Sequence, residues 1–213
     1  MKIRIEGLLP APLKERLHGR SQVWGQSYTF ESGRFYQVYS PSGRGKSTFL
    51  HILYGIRKDY EGAVFINEKP VQSMPAQEWA VLRQKHLSIV FQDLRLLLHL
   101  TAWENLQLKA ALQPMDADKI VAMAEYLGVK HLLHRQVALL SYGERQRIAI
   151  IRALIQPFEM LLLDEPFSHL DEENIKLAGQ LILSRCKEQN AGFIMASLGY
   201  DYQMTFHEKL LLG

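Results

Sequence analysis

Cysteine is nearly absent: Cys186 is the one thiol among 213 residues. A single cysteine forms neither an internal disulfide nor a cysteine metal cluster, which fits a reducing compartment and a small helix residue. Long apolar runs are missing too. Stretches such as Leu96–Leu98 and Met160–Leu163 fall far short of the roughly 20 residues a membrane helix needs. Membrane association is therefore expected to run through a partner. Residues Met1–Glu6 alternate apolar and charged side chains like an edge strand, without the uninterrupted apolar stretch of a secretion signal, so the chain is expected to stay inside the cell. Charge of one sign is also scarce, with 25 Lys and Arg against 22 Asp and Glu and a net charge of +3. No basic tail or run tracks a phosphate backbone, so nucleic acid is not expected as a partner. Nor is there an internal repeat, a low-complexity tract or a Pro/Gly/Ser linker, and the chain should fold as one compact unit.

Hydrophobic residues make up 47% of the sequence, enough for a substantial core. Short apolar runs at Phe35–Tyr39, Ala63–Ile66, Leu87–Phe91, Met160–Leu163 and Phe193–Ala196 alternate with helical patterns, which predicts an α/β fold with a largely parallel sheet. From about Asp93 to Leu140 the apolar spacing is helical and no strand is convincing, so a helical lobe is expected there. Thr101–Glu104 and Ser141–Glu144 both fit the S/T-x-x-E capping box, and Gly128 is placed to close a helix running from about Asp116 to Leu127.

The segment Ser40-Pro41-Ser42-Gly43-Arg44-Gly45-Lys46-Ser47-Thr48 carries the first chemistry. A strand enters it and a helical pattern, Ser47–Tyr54, leaves it, which is the context of a phosphate-binding loop. Successive backbone N–H groups at Gly43, Arg44, Gly45 and Lys46 can converge on a β-phosphate at the positive end of the helix. Lys46 is then expected to reach the β- and γ-phosphates and Ser47 to place its hydroxyl on magnesium. Ser40 stands where the motif G-x-x-x-x-G-K-[ST] has its first glycine, which a negative φ would accommodate.

Four further motifs follow. Leu140-Ser141-Tyr142-Gly143-Glu144-Arg145-Gln146-Arg147, continued by Arg152-Ala153-Leu154, resembles the signature of the ABC transporter ATP-binding subunits. Ser141 and the first N–H groups of a capped helix make a second anion site there. Met160-Leu161-Leu162-Leu163-Asp164-Glu165-Pro166 looks like a Walker B strand, an apolar run ending in two carboxylates at the edge where α/β sheets bind ligands. Asp164 is expected to hold magnesium, and Glu165 to orient and deprotonate the attacking water. Gln92, closing Val90-Phe91-Gln92, matches the Q-loop, whose amide contacts magnesium and water. Ser168-His169-Leu170-Asp171 resembles the D-loop, with Asp171 capping the next helix and His169 on the surface.

The resemblance covers nearly the whole chain and, within the family, is nearest to the lipoprotein-release, macrolide-efflux and cell-division branch. It implies a P-loop NTPase fold: a RecA-like core of residues 1–93 and 155–213 with an N-terminal antiparallel β portion, and an inserted helical subdomain of residues 94–154. It also implies an ATPase using ATP and Mg2+, with Glu165, Lys46 and Gln92 catalytic and Ser47, Gln92 and Asp164 at the metal. Nucleotide is held by residues 40–48 and, from a second copy, by Ser141, Gly143 and Glu144. Two chains, identical or related, would sandwich two ATP molecules and drive a membrane permease from its cytoplasmic face. The exposed leucines of Leu94–Leu100 are candidates for that contact.

Three departures qualify this picture. Leu198 stands where the family carries a histidine on the γ-phosphate, and leucine donates no hydrogen bond; His207 is a distant substitute. Tyr142 replaces the first signature glycine and is able to crowd the γ-phosphate or to point away. Leu8–Arg20 holds no aromatic ring to stack on adenine, leaving His18, while Trp24 and Tyr28 read as strand residues. The alternative function is a regulatory or scaffold subunit that binds nucleotide with slow or absent hydrolysis. A soluble DNA-repair or translation ATPase is disfavoured because the chain has neither a long coiled-coil insert nor paired cassettes.

Overall fold

The computed structural model describes residues 1–14, 21–112 and 115–213. Two sheets carry the fold. The smaller is antiparallel, in the order β2 (Ser27–Glu31), β1 (Lys2–Pro10), β4 (Tyr60–Ile66) and β5 (Lys69–Pro70). The larger is parallel, in the order β6 (Leu87–Val90), β7 (Met160–Asp164), β8 (Gly192–Ser197), β3 (Phe35–Tyr39) and β9 (Glu208–Leu211).

The parallel strands are buried on both faces, and their side chains sort by the two-residue period of a strand. Met160 and Leu162 of β7 and Ile194 and Ala196 of β8 face a core containing Phe49, Leu50 and Leu53 of α1 (Lys46–Leu53), together with Ile3, Ile5 and Phe30 of the small sheet. That core places α1 between the two sheets. Leu161, Leu163, Phe193 and Met195 face the opposite way, into a second core. This one joins the sheet to α3 (Ala102–Ala110), α4 (Ala117–Tyr126), α5 (Tyr142–Ile155) and α6 (Glu172–Gln189). The helical lobe is thus anchored on β7, the strand that ends in Asp164.

Local signals set the helix starts. The expected capping boxes form at α3, where Thr101 accepts from the Glu104 N–H, and at α5, where Ser141 accepts from the Glu144 N–H. Each cap is worth about 1 kcal/mol. Asp171 caps α6 by accepting from the Asn174 N–H at 2.8 Å. Gly128, with φ +66°, ends α4. A further helix, α2 (Ala76–Lys85), precedes β6.

Several expectations are corrected. Residues 1–6 are not an edge strand: β1 lies between β2 and β4, with Ile3 and Ile5 fully buried. Ala63–Ile66 belongs to the antiparallel sheet rather than the parallel one. Phe91 lies just outside β6, and Trp24 sits in a turn before β2 rather than in a strand. Between Glu6 and Leu9 the β1–β4 register slips by a bulge. Gly7 adopts φ +59° there, and Gly62 opposite has no room for a side chain, since a Cβ would collide with the carbonyls of Glu6 and Gly7.

Candidate functional site

The turn between β3 and α1 is built by its glycines. Gly43 and Gly45 hold φ +79° and +91°, and a Cβ on Gly45 would come within 2.5 Å of Leu13 Cδ1 and 3.2 Å of Trp24. Glycine is required both for the backbone angle and for this backing. Trp24 is therefore a support behind the loop, edge-on to Phe49, with its indole N–H 3.4 Å from the Arg44 carbonyl. Ser40 avoids the positive-φ region, as its substitution for glycine requires, and its N–H donates to the Ser197 carbonyl at 3.3 Å.

Lys46 is 5% exposed and held by three acceptors. Its Nζ lies 2.9 Å from the Ser40 carbonyl, 3.1 Å from the Pro41 carbonyl and 3.3 Å from Glu165 Oε1. The side chain is thus folded back over its own loop. Ser47 Oγ donates to Gln92 Oε1 at 3.1 Å, bringing the phosphate loop and the end of β6 together. Asp164 ends β7 at 1% exposure, and neither of its carboxylate oxygens has a hydrogen-bond partner. Burial raises its pKa to about 6, opposed by the nearby Ser47 hydroxyl and Lys46 and reinforced by Glu165. Glu165 follows with φ +46°, an uncommon angle for a side-chain-bearing residue. Its N–H donates to the Ala196 carbonyl at 3.0 Å.

A cavity of about 260 Å³ opens over this group. Its walls include Ser42, Gly43, Gly45, Lys46, Ser47, Thr48, Gln92 and Glu165, all expected, and also Arg57, Pro10, Pro12 and Leu13, which were not. Arg57 is forked onto Asp59 at 2.7 and 2.8 Å, and its Nη1 donates to Thr48 Oγ1 at 3.0 Å. No motif marks Arg57. It is one basic residue in the turn after α1, and only the fold carries it to Thr48.

Ser141, Gly143 and Glu144 do not line this cavity within the one chain. Ser141 and Glu144 are bonded to each other, and the Ser141 backbone N–H holds the Glu144 carboxyl below its usual range. Gly143 is packed tightly, since a Cβ there would sit 2.9 Å from the His169 carbonyl. Tyr142 points away from the helix end: its hydroxyl donates to the Gln92 carbonyl at 2.9 Å and its ring lies 4.1 Å from that of His169. His169 is thus a ring partner as well as a loop residue.

Leu198 is 47% exposed at the end of β8. His207 cannot replace it, because its backbone N–H and Nδ1 both bond Phe35 at the start of β3, the end remote from the phosphate loop. Tyr28 is on β2, as expected, hydrogen-bonded to Glu208, and burial first and that carboxylate second raise its pKa. His18 lies outside the described residues.

A parallel sheet whose carboxyl edge gathers a glycine-turned loop, a buried lysine, a hydroxyl and paired carboxylates defines a P-loop nucleoside triphosphatase. A family model described as "ABC transporter" matches residues 24–168, more than half of the chain. The lipoprotein-releasing system ATP-binding protein LolD of Saccharophagus degradans is 33% identical over 177 residues, covering 81% of this chain and 78% of that protein. Its Legionella pneumophila counterpart is 36% identical over 164 residues, covering 75% and 72%. Among solved structures, the dimeric bacterial ABC transporter cassette MJ0796 shares the fold with a TM-score of 0.84 at 22% identity, covering 99% of this chain and 95% of that one. The chain belongs to the ABC transporter family. Within it, the protein is an ATP-binding subunit and an ATPase.

Proposed function

We propose that two copies of this chain, or this chain and a related one, close around two MgATP molecules and drive a membrane permease of the lipoprotein-release type. The observation that carries the chemistry is the convergence of Lys46, Ser47, Gln92 and Glu165 around the unpartnered, buried carboxylate of Asp164. Residues 40–48 cradle the phosphates with backbone N–H groups, and Lys46 moves from carbonyl acceptors to β- and γ-oxygens. Thr48, accepting from Arg57, keeps its own hydroxyl proton for a phosphate oxygen. Glu165 orients and deprotonates the attacking water, and Gln92 positions it. Ser141, Gly143 and Glu144 complete the opposing site from the second copy, through the N-terminus of α5.

Ser47, Gln92 and Asp164 supply the all-oxygen donors that a hard cation takes, so these residues fit Mg2+. Among the described residues no cluster of three His, Cys, Asp or Glu could hold a metal, which suits an ion bound by one carboxylate and substrate phosphates. When bound, it neutralises phosphate charge. Base contact falls to Pro10, Pro12 and Leu13, the aliphatic residues among those that line the cavity.

Among the described residues no helix is long and apolar enough to cross a membrane, so contact with the bilayer is assigned to the permease, at its cytoplasmic face. Residues 94–154 form the helical subdomain and 1–93 with 155–213 the core in this reading. Within Leu94–Leu100, Leu94 is buried and Leu96 packs against the lobe core, so neither is free to meet a partner, whereas Leu97 and Leu98 are 43% and 49% exposed. The docking role narrows to those two. The test is magnesium-dependent phosphate release with and without the permease: Glu165→Gln is expected to reduce it at least 100-fold while ATP binding persists, on the scale of losing a general base. Turnover unchanged by that substitution would remove Glu165 from the mechanism. Negligible turnover of the unaltered chain with its permease present would favour the scaffold alternative.

A further inference from the structure

The helix α5 reaches back to both catalytic loops of its own chain. Tyr142, its first residue, donates to the Gln92 carbonyl at 2.9 Å, and its ring rests 4.1 Å from that of His169. One turn later Gln146, 1% exposed, donates to the Glu165 carbonyl at 3.3 Å and accepts from the His169 N–H at 3.2 Å. Near the other end Arg152 donates to the carbonyls of Leu94 and Arg95 at 2.5 and 2.6 Å. Those two residues hold φ +60° and +48°, angles that cost non-glycine residues energy and persist only where neighbours impose them.

One rod therefore grips the loop bearing Gln92 at both ends. A glycine at position 142 would supply no group for the first grip, and phenol is long enough to reach past the helix end while the ring is steadied by His169. Tyr142 is 41% exposed, so the bond is not a by-product of burial. It sits beside Ser141 and Gly143, at the positive end of α5 where an anion is favoured.

We infer that Tyr142 is a positioning residue for Gln92, with Arg152 fixing the far end of the same loop, so that an anion bound at the start of α5 is coupled to the orientation of the Gln92 amide. The inference rests on the proposed role of Gln92 at the nucleotide.

The test is a double-mutant cycle in steady-state MgATP hydrolysis by the full chain, with nucleotide affinity and thermal midpoint measured alongside. Tyr142→Phe removes one neutral hydrogen bond and keeps the ring. Its kcat is expected to fall roughly 3- to 10-fold, with KM for ATP and the thermal midpoint unchanged. Gln92→Ala is expected to fall further, and adding Tyr142→Phe to it to cost nothing more. A Tyr142→Phe enzyme at the wild-type rate, or losses that multiply in the double variant, overturns the inference while leaving Gln92 in place. A Gln92→Ala enzyme at the wild-type rate removes the role of Gln92 and the inference together. Tyr142→Gly gives a second reading: the same kcat-selective loss supports positioning, and a rate above wild type means that the ring obstructs the site instead.

Discussion

Replacing Asp164 by asparagine should change how stability depends on pH. The carboxyl is 1% exposed with both oxygens unpartnered, and burial raises its pKa from 3.8 to about 6. The folded state thus holds the proton more tightly than the unfolded chain. Stability from this group is fully present below pH 3.8 and is lost as pH rises through about 6. Tenfold per 1.4 kcal/mol makes that loss about 3 kcal/mol. The amide introduced by Asp164→Asn would not titrate, but, buried without partners, it costs about 1–3 kcal/mol at every pH. The absolute gain in the variant is therefore small, and the informative quantity is the difference between the two proteins. It should swing in favour of asparagine by about 2.5 kcal/mol between pH 4 and pH 8, equivalent to roughly 5–10 °C in midpoint for a chain of this size. Thermal unfolding of both proteins across that range, in chelator and without nucleotide, measures it. A difference that does not vary with pH would refute the assignment of Asp164 as a carboxyl whose pKa burial raises despite Ser47 and Lys46. Magnesium and ATP should then reverse the order: at a hundred times its dissociation constant the nucleotide stabilises the wild type by about 2.7 kcal/mol, and the variant by much less.

Arg57→Ala should raise KM for ATP about 3- to 10-fold with kcat nearly constant, because the loss falls on binding through Thr48 rather than on the reacting phosphate; a kcat-selective loss would contradict that placement. Leu198→His restores a donor at the end of β8 and should raise kcat several-fold, measured by phosphate release, and no change would place position 198 outside the γ-phosphate's reach. Leu98→Glu alters an exposed side chain, so basal ATPase and thermal midpoint should hold while stimulation by the permease is lost; a lowered midpoint would mean that the side chain is packed after all.

The site was legible where chemistry is written in contiguous residues. Gly43, Gly45, Lys46, Ser47, Thr48 and Glu165, which the structure brings to one cavity, were marked by motifs of fixed spacing, and the capping boxes at Thr101 and Ser141 depend on four-residue patterns. Arg57 was not legible, because it acts on Thr48 across a turn and its own neighbourhood carries no pattern. Strand type was hidden for a similar reason. Residues 1–6 alternate as an edge strand does, yet both neighbours of β1, β2 and β4, come from later in the chain. Alternation reports one buried face and says nothing of how many partners a strand has. Leu96 and Leu98 are indistinguishable as letters, and only the packing of the lobe half-buries Leu96 against the core and leaves Leu98 exposed.

The bulge in β1 has a bearing on how this pocket could change. The strand bends between Glu6 and Leu9, ahead of the Pro10, Pro12 and Leu13 wall of the cavity, and the space for that bend is reserved by Gly62 on the neighbouring strand. The sheet fixes where the wall stands but leaves its chemistry open at Pro12, which is exposed. Leu13 is different, because it also backs Gly45. If the base rests on this wall as proposed, substitution at position 12 is expected to alter base preference while leaving Gly45 and its backing by Leu13 in place.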